Sequence, residues 1–424
     1  MQRIVSTAET ARAPIGTALP PSARLRLDAI DFVRGIVMIL MVLDHTRDFV
    51  HLGGIMSNPL DPATTTILLY VTRWVTHLCA PTFALLAGLG VGLRRLRGAT
   101  AGEVSWFLLT RGLWLVVLEL TLFRTIVWFN VDFRLLAFLQ VIWAIGASMI
   151  VLSALVRLPQ AALVAIAGVI LIGHNALDGI RVPFWTPGSN VPVPGLAEAS
   201  WMLLHQFGLF PVGGASGPIV IAQYPLLPWI GILTAGYVMA AIYTWPAEQR
   251  RRALTLAAMA MLALFLVLRT WNIYGDTTDW APQPTLVQSV MSFMNVQKYP
   301  PSLLYVCATL GPMLLLVPLF DRLRGPVPAF FRTYGAVPLM AYVSHLYVMH
   351  LVAVGAHAAA GHDITGMFGT IRYFFFDPKV FEGTSFPLPI VYAGWVAVLV
   401  IIYPLCRWWG DVKRRRRDWW LSYL

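Results

Sequence analysis

The chain has 424 residues, 58% of them hydrophobic and only 12% charged. A water-soluble domain carries about 25% charged residues, so this composition excludes one and predicts an all-α, polytopic membrane protein. The net charge of +11 is arranged by membrane face, which excludes nucleic acid as the partner it serves.

Residues 1–27 are polar and Ala/Pro-rich, with Arg3, Arg12, Arg24 and Arg26. No apolar core follows the first charges, so the segment reads as a disordered cytoplasmic tail rather than a cleaved signal peptide. Apolar stretches long enough to cross a bilayer follow near 32–50, 72–93, 105–127, 134–156, 158–176, 218–243, 252–270, 300–320, 334–356 and 388–409. They predict about ten membrane helices, with 28–410 as one transmembrane domain and 411–424 as a basic cytoplasmic tail. Cys79, Cys307 and Cys406 fall in or beside apolar stretches and give neither a disulfide framework nor metal-ligand spacing.

Basic residues alternate across these stretches. One set of connections carries Arg94, Arg95, Arg97, Arg157, Arg250, Arg251, Arg252, Arg322, Arg324, Arg332 and the run from Lys413 to Arg417. The other carries fewer, among them Arg47, Arg73, Arg124, Arg134, Arg181 and Arg372. The positive-inside rule then places both termini in the cytoplasm, and the C-terminal run serves as an anchor at the anionic leaflet. Three long segments, about 177–217, 271–299 and 357–387, fall on the opposite side and are rich in Gly, Pro and aromatic residues. Loops of this length are often lids or binding loops.

The first helix is the most informative. Arg34 stands at one end, and Asp44, His45, Arg47, Asp48 and His51 at the other. Arg34 and His45 are about 16 Å apart along a helix axis. Ionisable residues inside a membrane cost at least ~2.5 kcal/mol each, so they tend to line polar cavities and mark function. His is the usual proton-transfer group near neutral pH. Asp48, three residues on, is expected to orient His45 better than Asp44, which points about 100° away. The structural alternative is a solvated helix end.

Further candidates follow in order. Arg73 and His77 are four apart, which places them on one helix face, as a binding pair or as an interfacial anchor. Arg111 and Glu119 interrupt the third helix and need partners there. The stretch Gln297-Lys-Tyr-Pro-Pro-Ser302 opens a helix, and its free amides with Lys298 predict an anion-friendly corner. His345 and His350 are five apart and point in different directions, which argues against a shared metal. No Walker loop, dinucleotide glycine pattern, His-Glu-x-x-His or Gly-x-Ser-x-Gly element is present.

The opening Leu27-Asp-Ala-Ile-Asp-Phe-Val-Arg-Gly-Ile-Val-Met-Ile-Leu-Met-Val-Leu-Asp-His45 resembles membrane acyltransferases of the heparan-alpha-glucosaminide N-acetyltransferase-like family. Lys298-Tyr-Pro-Pro-Ser-Leu-Leu304 and Gly335-Ala-Val-Pro-Leu-Met-Ala-Tyr-Val-Ser-His345 are similar to later signatures of its bacterial members. The spacing of Arg34 and His45 is also similar to that of integral-membrane acyltransferases acting on bacterial surface sugars. The lysosomal N-acetyltransferase has Asn where His45 stands and its catalytic His further along, for which His51 is the nearest candidate.

The resemblance implies transfer of an acyl group, acetyl first, from cytoplasmic acyl-CoA to a sugar-like hydroxyl or amine on the far side of a bacterial inner membrane. His45 is the expected general base, with Asp44, Asp48 and His51 as the other catalytic candidates. Arg34, Arg47, Arg73, His77, Glu119, Lys298, Tyr299, Ser302 and His345 are the expected substrate and CoA contacts. Acyl-CoA acts as co-substrate, with no tightly bound cofactor and no metal. The glycan-like acceptor and the bilayer are the other partners, and a homo-oligomer is compatible with the sequence. The rival readings are a transporter for a small polar or anionic solute and a non-catalytic member of an envelope-assembly complex.

Overall fold

Helix α1 (Pro21–Val50) is unbroken from before Arg34 to beyond His45. Around it run α2 (Ile67–Val75), α3 (Cys79–Leu96), α4 (Ala101–Leu118), α5 (Val141–Leu155), α6 (Gln160–Gly173), α7 (Leu196–Leu204), α8 (Leu226–Met239), α9 (Ala247–Thr270), α10 (Leu286–Met294), α11 (Leu303–Phe320), α12 (Pro326–Gly335), α13 (Pro338–Ala359), α14 (Thr370–Phe376) and α15 (Leu388–Arg415). The computed structural model describes residues 21–51, 58–320, 323, 325–416 and 418–423, with side chains for all of these except 21–27 and 422. The expected N-terminal tail thus lies outside the described residues up to 20, and α1 begins at Pro21.

Among the described residues, eight helical stretches are long and apolar enough to cross a membrane. The expectation of about ten also counted α1, which carries six Asp/Arg side chains between 28 and 48, and α5, which has only 15 residues. The protein is a polytopic, nearly all-helical membrane protein. Arg94 and Arg95 close α3, Arg157 follows α5, and Arg250 to Arg252 lie near the start of α9. These ends form the basic face. The connections after α4, α6, α9 and α13 gather at the opposite, loop face, where Tyr274 donates to the Ile172 carbonyl and the Leu303 amide to Asn175 Oδ1.

Three short strands join the loops: β1 (Leu135–Leu139), β2 (Gly208–Pro211) and β3 (Ile219–Ala222). Strand β3 lies between the others, parallel to β1 and antiparallel to β2. Sequence had merged β1 with α5 and β3 with α8, because each strand abuts an apolar helix and shares its hydropathy. The expected stretch at 334–356 corresponds to α13, and α12 before it was not expected.

Close helix crossings depend on glycine. A Cβ on Gly335 of α12 would lie 1.8 Å from the Asp31 carbonyl oxygen, and one on Gly35 of α1 would lie 1.9 Å from that of Phe331. Gly112 and Gly146 permit the same approach of α4 to α5. Without a hydrophobic drive between helices in lipid, such small-residue contacts carry much of the packing.

Candidate active site

A cavity of about 400 Å³ opens at the basic face. Arg34, Arg94, Arg97, Arg111 and Lys413 contribute cations to its wall. Met38, Ile142, Ile145, Met149 and Leu339 line it with apolar surface. A second, much smaller space of about 30 Å³ holds Asp44, His45, Thr76, Cys79, Gln140, Tyr224 and Lys298 in its wall. Met41, Val141 and Tyr342 line both. These three residues thus form a wall common to the cation-lined cavity and the space at His45.

Arg34 reaches this mouth from α1. Its guanidinium donates to Asp31 Oδ1 at 3.1 Å and to the Leu86 carbonyl at 3.0 Å, which fixes α1 to α3. It lines the cation-rich cavity at that end of α1. Arg111, Arg94, Arg97 and Lys413 join it from three other helices.

His45 is partly buried and its Nδ1 meets no hydrogen-bond partner among the described residues. Its ring packs against the rings of His345, 5.4 Å away between centroids, and Tyr342, 6.4 Å away. The two carboxylates expected to orient it are engaged elsewhere. Asp44 accepts from Thr76 Oγ1 at 2.8 Å and pairs with Arg47 at 3.1 Å and Arg73 at 3.4 Å. Asp48 pairs with Arg47 and is the more exposed of the two. A carboxylate buried beside two guanidiniums is held by them, since leaving either charge unpaired in an apolar interior is costly. Asp44, Arg47 and Arg73 thus form an ion cluster next to His45.

His51 lies apart from this cluster. Its Nδ1 is 2.6 Å from the Phe386 carbonyl and 2.9 Å from Ser385 Oγ, so it ties the end of α1 to the chain before α15.

The helix face expected to unite Arg73 and His77 is broken by a 3-10 turn at Thr76–Leu78. Arg73 turns to Thr76 and Asp44, whereas the fully buried His77 ring packs on Tyr305, 5.4 Å away. Glu119 opens a π-helical stretch, Glu119–Val127. Its carboxylate accepts the Trp143 amide at 3.1 Å and so caps α5. Its role in this geometry is to satisfy a helix start, not to meet a ligand in either cavity.

The anion-friendly corner at α11 is filled by the protein. The Leu303 amide donates to Asn175 Oδ1, that of Leu304 to the Gly275 carbonyl and that of Tyr305 to Ser302 Oγ. The Ser302 hydroxyl donates to Asp276 Oδ2 at 2.8 Å. Burial pushes the Asp276 carboxyl up, against the hydrogen bonds from the Gln297 amide and Ser302. Lys298, in contrast, does line the space at His45, and its ammonium lies 5.2 Å from the Tyr299 ring centre. Tyr299 packs edge-on to Tyr224 at 5.2 Å and lines a third cavity of about 240 Å³ at the loop face. His345 is fully buried, with Nδ1 2.9 Å from the Ala341 carbonyl. His350 is held between the carbonyls of Val127 and Met367, away from both cavities.

Sequence reasoning did not single out Tyr224, Gln140, Thr76 or Met41. Lys413 was masked by the arginine run that follows it. Arg111 carried the clearest signal, a cation in the middle of an apolar stretch.

No curated protein matches the chain. Residues 26–275 match the family described as heparan-alpha-glucosaminide N-acetyltransferase, catalytic. That stretch contains Arg34, Asp44, His45, Arg73, Arg111 and Tyr224, and ends before Lys298, Tyr342 and His345. It covers more than half of the chain, and its start coincides with the motif that resembled this family. The protein therefore belongs to the heparan-alpha-glucosaminide N-acetyltransferase family and is a multi-pass membrane protein of the acetyltransferase class.

Proposed function

We propose that the protein transfers an acyl group, acetyl first, from acyl-CoA entering at the basic face to a sugar-like hydroxyl or amine entering at the loop face. The observation that carries this reading is the constriction at Met41, Val141 and Tyr342, shared by the cation-lined cavity and the space at His45. By the positive-inside rule the basic face is cytoplasmic, where acyl-CoA is made; a bacterial inner membrane is the setting this implies.

The anionic nucleotide stays with Arg34, Arg94, Arg97, Arg111 and Lys413, where charge-assisted hydrogen bonds to phosphate are strong. The thin pantetheine arm runs toward the constriction, a length comparable to the ~16 Å from Arg34 to His45 along α1. His45 takes the proton of the acceptor as its oxygen or nitrogen attacks the thioester carbonyl. The carbonyl oxygen gains negative charge, and the Lys298 ammonium is the donor best placed to meet it. The tetrahedral intermediate then expels the thiolate. The C–S bond breaks, the acyl–acceptor bond remains, and the proton on His45 passes to sulfur to give free CoA.

The space at His45 has room for about one water, so Met41 or Tyr342 must turn aside when the acyl arm arrives. Asp44, through Arg73 and Arg47, holds the local frame rather than the imidazole itself.

The test is purified protein in detergent with labelled acetyl-CoA and a panel of amino sugars and glycans. Acceptor-dependent release of free CoA, lost in His45→Ala, supports the reading. Solute uptake into vesicles that needs no acyl-CoA would sink it in favour of the transporter.

A further inference from the structure

We propose that His174, Asp178 and His205 bind one divalent transition-metal ion, zinc by chemical class, at the loop face. This site is separate from the acyl-transfer reading and does not rest on it. It departs from the expectation of no metal drawn from the sequence.

His174 and Asp178 are four residues apart, at the 3-10 turn that ends α6, and His205 terminates α7. One ligand atom from each lies within 4.8 Å of the other two. His205 Nε2 is 3.1 Å from Asp178 Oδ1. Ligands bound tetrahedrally at about 2.0–2.2 Å stand roughly 3.3–3.6 Å from one another. The His205–Asp178 separation is close to one edge of such a site, and a side-chain movement of roughly 1 Å brings the remaining ligand atoms in from within 4.8 Å.

The independent observation is His174. It is 2% exposed, and neither of its ring nitrogens meets a hydrogen-bond partner among the described residues. His205, 3% exposed, has an equally unpartnered Nδ1. A neutral imidazole carries one donor and one acceptor, and buried polar groups are nearly always satisfied. An ordinary His–Asp contact accounts for His205 and Asp178 but leaves His174 unexplained. A metal accounts for all three.

The surroundings fit as well. Asn175 Nδ2 donates to Asp178 Oδ2 at 2.8 Å, an outer contact of the kind that fixes a ligating carboxylate. Asn175 Oδ1 meanwhile accepts from the start of α11. Two imidazoles and one carboxylate favour zinc and its neighbours over calcium or magnesium. Three protein ligands leave a fourth position for water or a substrate oxygen. Asp178 and His205 line the 240 Å³ cavity together with Thr277, Gln297 and Tyr299.

The experiment uses the full chain in detergent with any affinity tag removed. The protein is stripped with EDTA, then titrated with zinc chloride, reading bound metal by mass spectrometry and thermal midpoint by fluorescence. The expected result is about one zinc per chain and a raised midpoint, with His174→Gln and Asp178→Asn each weakening binding at least about tenfold. Cobalt(II) added to the stripped wild-type chain supplies a readout that needs no variant, the visible absorption of a tetrahedral complex. Absence of stoichiometric zinc, or wild-type affinity in a folded His174→Gln protein, overturns the proposal.

Discussion

The imidazoles of His45 and His345 lie 5.4 Å apart between centroids, tilted by 34°. The His345 Nδ1 faces the Ala341 carbonyl at 2.9 Å, so that nitrogen carries the proton and Nε2 is left as an acceptor. The residue nearest to an orienter for His45 is thus another histidine on α13, not a carboxylate on its own helix.

Substitution at the two rings should separate their roles. His45→Ala is expected to lower kcat by about 10²–10⁴-fold, the range general-base catalysis supplies. His345→Gln preserves a side-chain donor for the Ala341 carbonyl and should cost roughly tenfold, acting through the position of His45. Steady-state acetyl transfer on both variants and on the double variant checks this. Equal losses in all three would fit a coupled pair; near-normal turnover in His45→Ala would falsify the base assignment.

The cationic mouth makes a different prediction. Arg111→Gln and Lys413→Ala should each raise KM for acetyl-CoA by about tenfold, because each removes a charged partner for phosphate. The effect should shrink for a pantetheine thioester that lacks the nucleotide. Binding isotherms with CoA and with the truncated thioester distinguish these outcomes. Arg34→Ala is less clean, since Arg34 also holds α1 to the Leu86 carbonyl.

The constriction can be closed deliberately. Met41→Trp places an indole where the two cavities meet. Acetyl transfer is expected to fall by about a hundredfold while CoA affinity changes only about threefold, because the nucleotide end is untouched. Met41→Ala should instead admit longer acyl chains. A Trp variant that turns over normally would show that the acyl arm takes another route.

Gly335→Ala tests the packing. The new methyl carbon would meet the Asp31 carbonyl at 1.8 Å, so α1 and α12 must separate. Overpacking of this kind typically costs 1–3 kcal/mol, roughly several degrees in thermal midpoint. The conservative comparison is Gly355→Ala on α13, where a Cβ meets nothing within 4 Å. The two midpoints, measured in the same detergent, should differ clearly.

Sequence exposed the ends of the proposed reaction path but not its middle. Arg34 and His45 were legible because α1 is continuous between them, so helix rise alone fixes their relation. The fate of Asp44 was not, because Arg73 arrives from α2 and no local spacing announces it. The Arg73–His77 expectation failed at the 3-10 turn, which changes the helical phase between them. The amides of α11 were read as free, yet Asn175 and Gly275 fill them from segments distant in the chain. The eight long spans were each legible from hydropathy, although the count of ten was not; β1 and β3 were not legible either, since each continues the apolar run of its neighbouring helix.

The parallel partnership of β1 with β3 also constrains how the molecule is born. When Leu135–Leu139 leaves the ribosome, its hydrogen-bonding partner has yet to be synthesised, and α5, α6 and α7 come first. Hydrocarbon tolerates no unpaired amide row. The segment therefore stays on the watery side of the membrane until Ala222 has been delivered, and the sheet closes only after α5, α6 and α7 have been made.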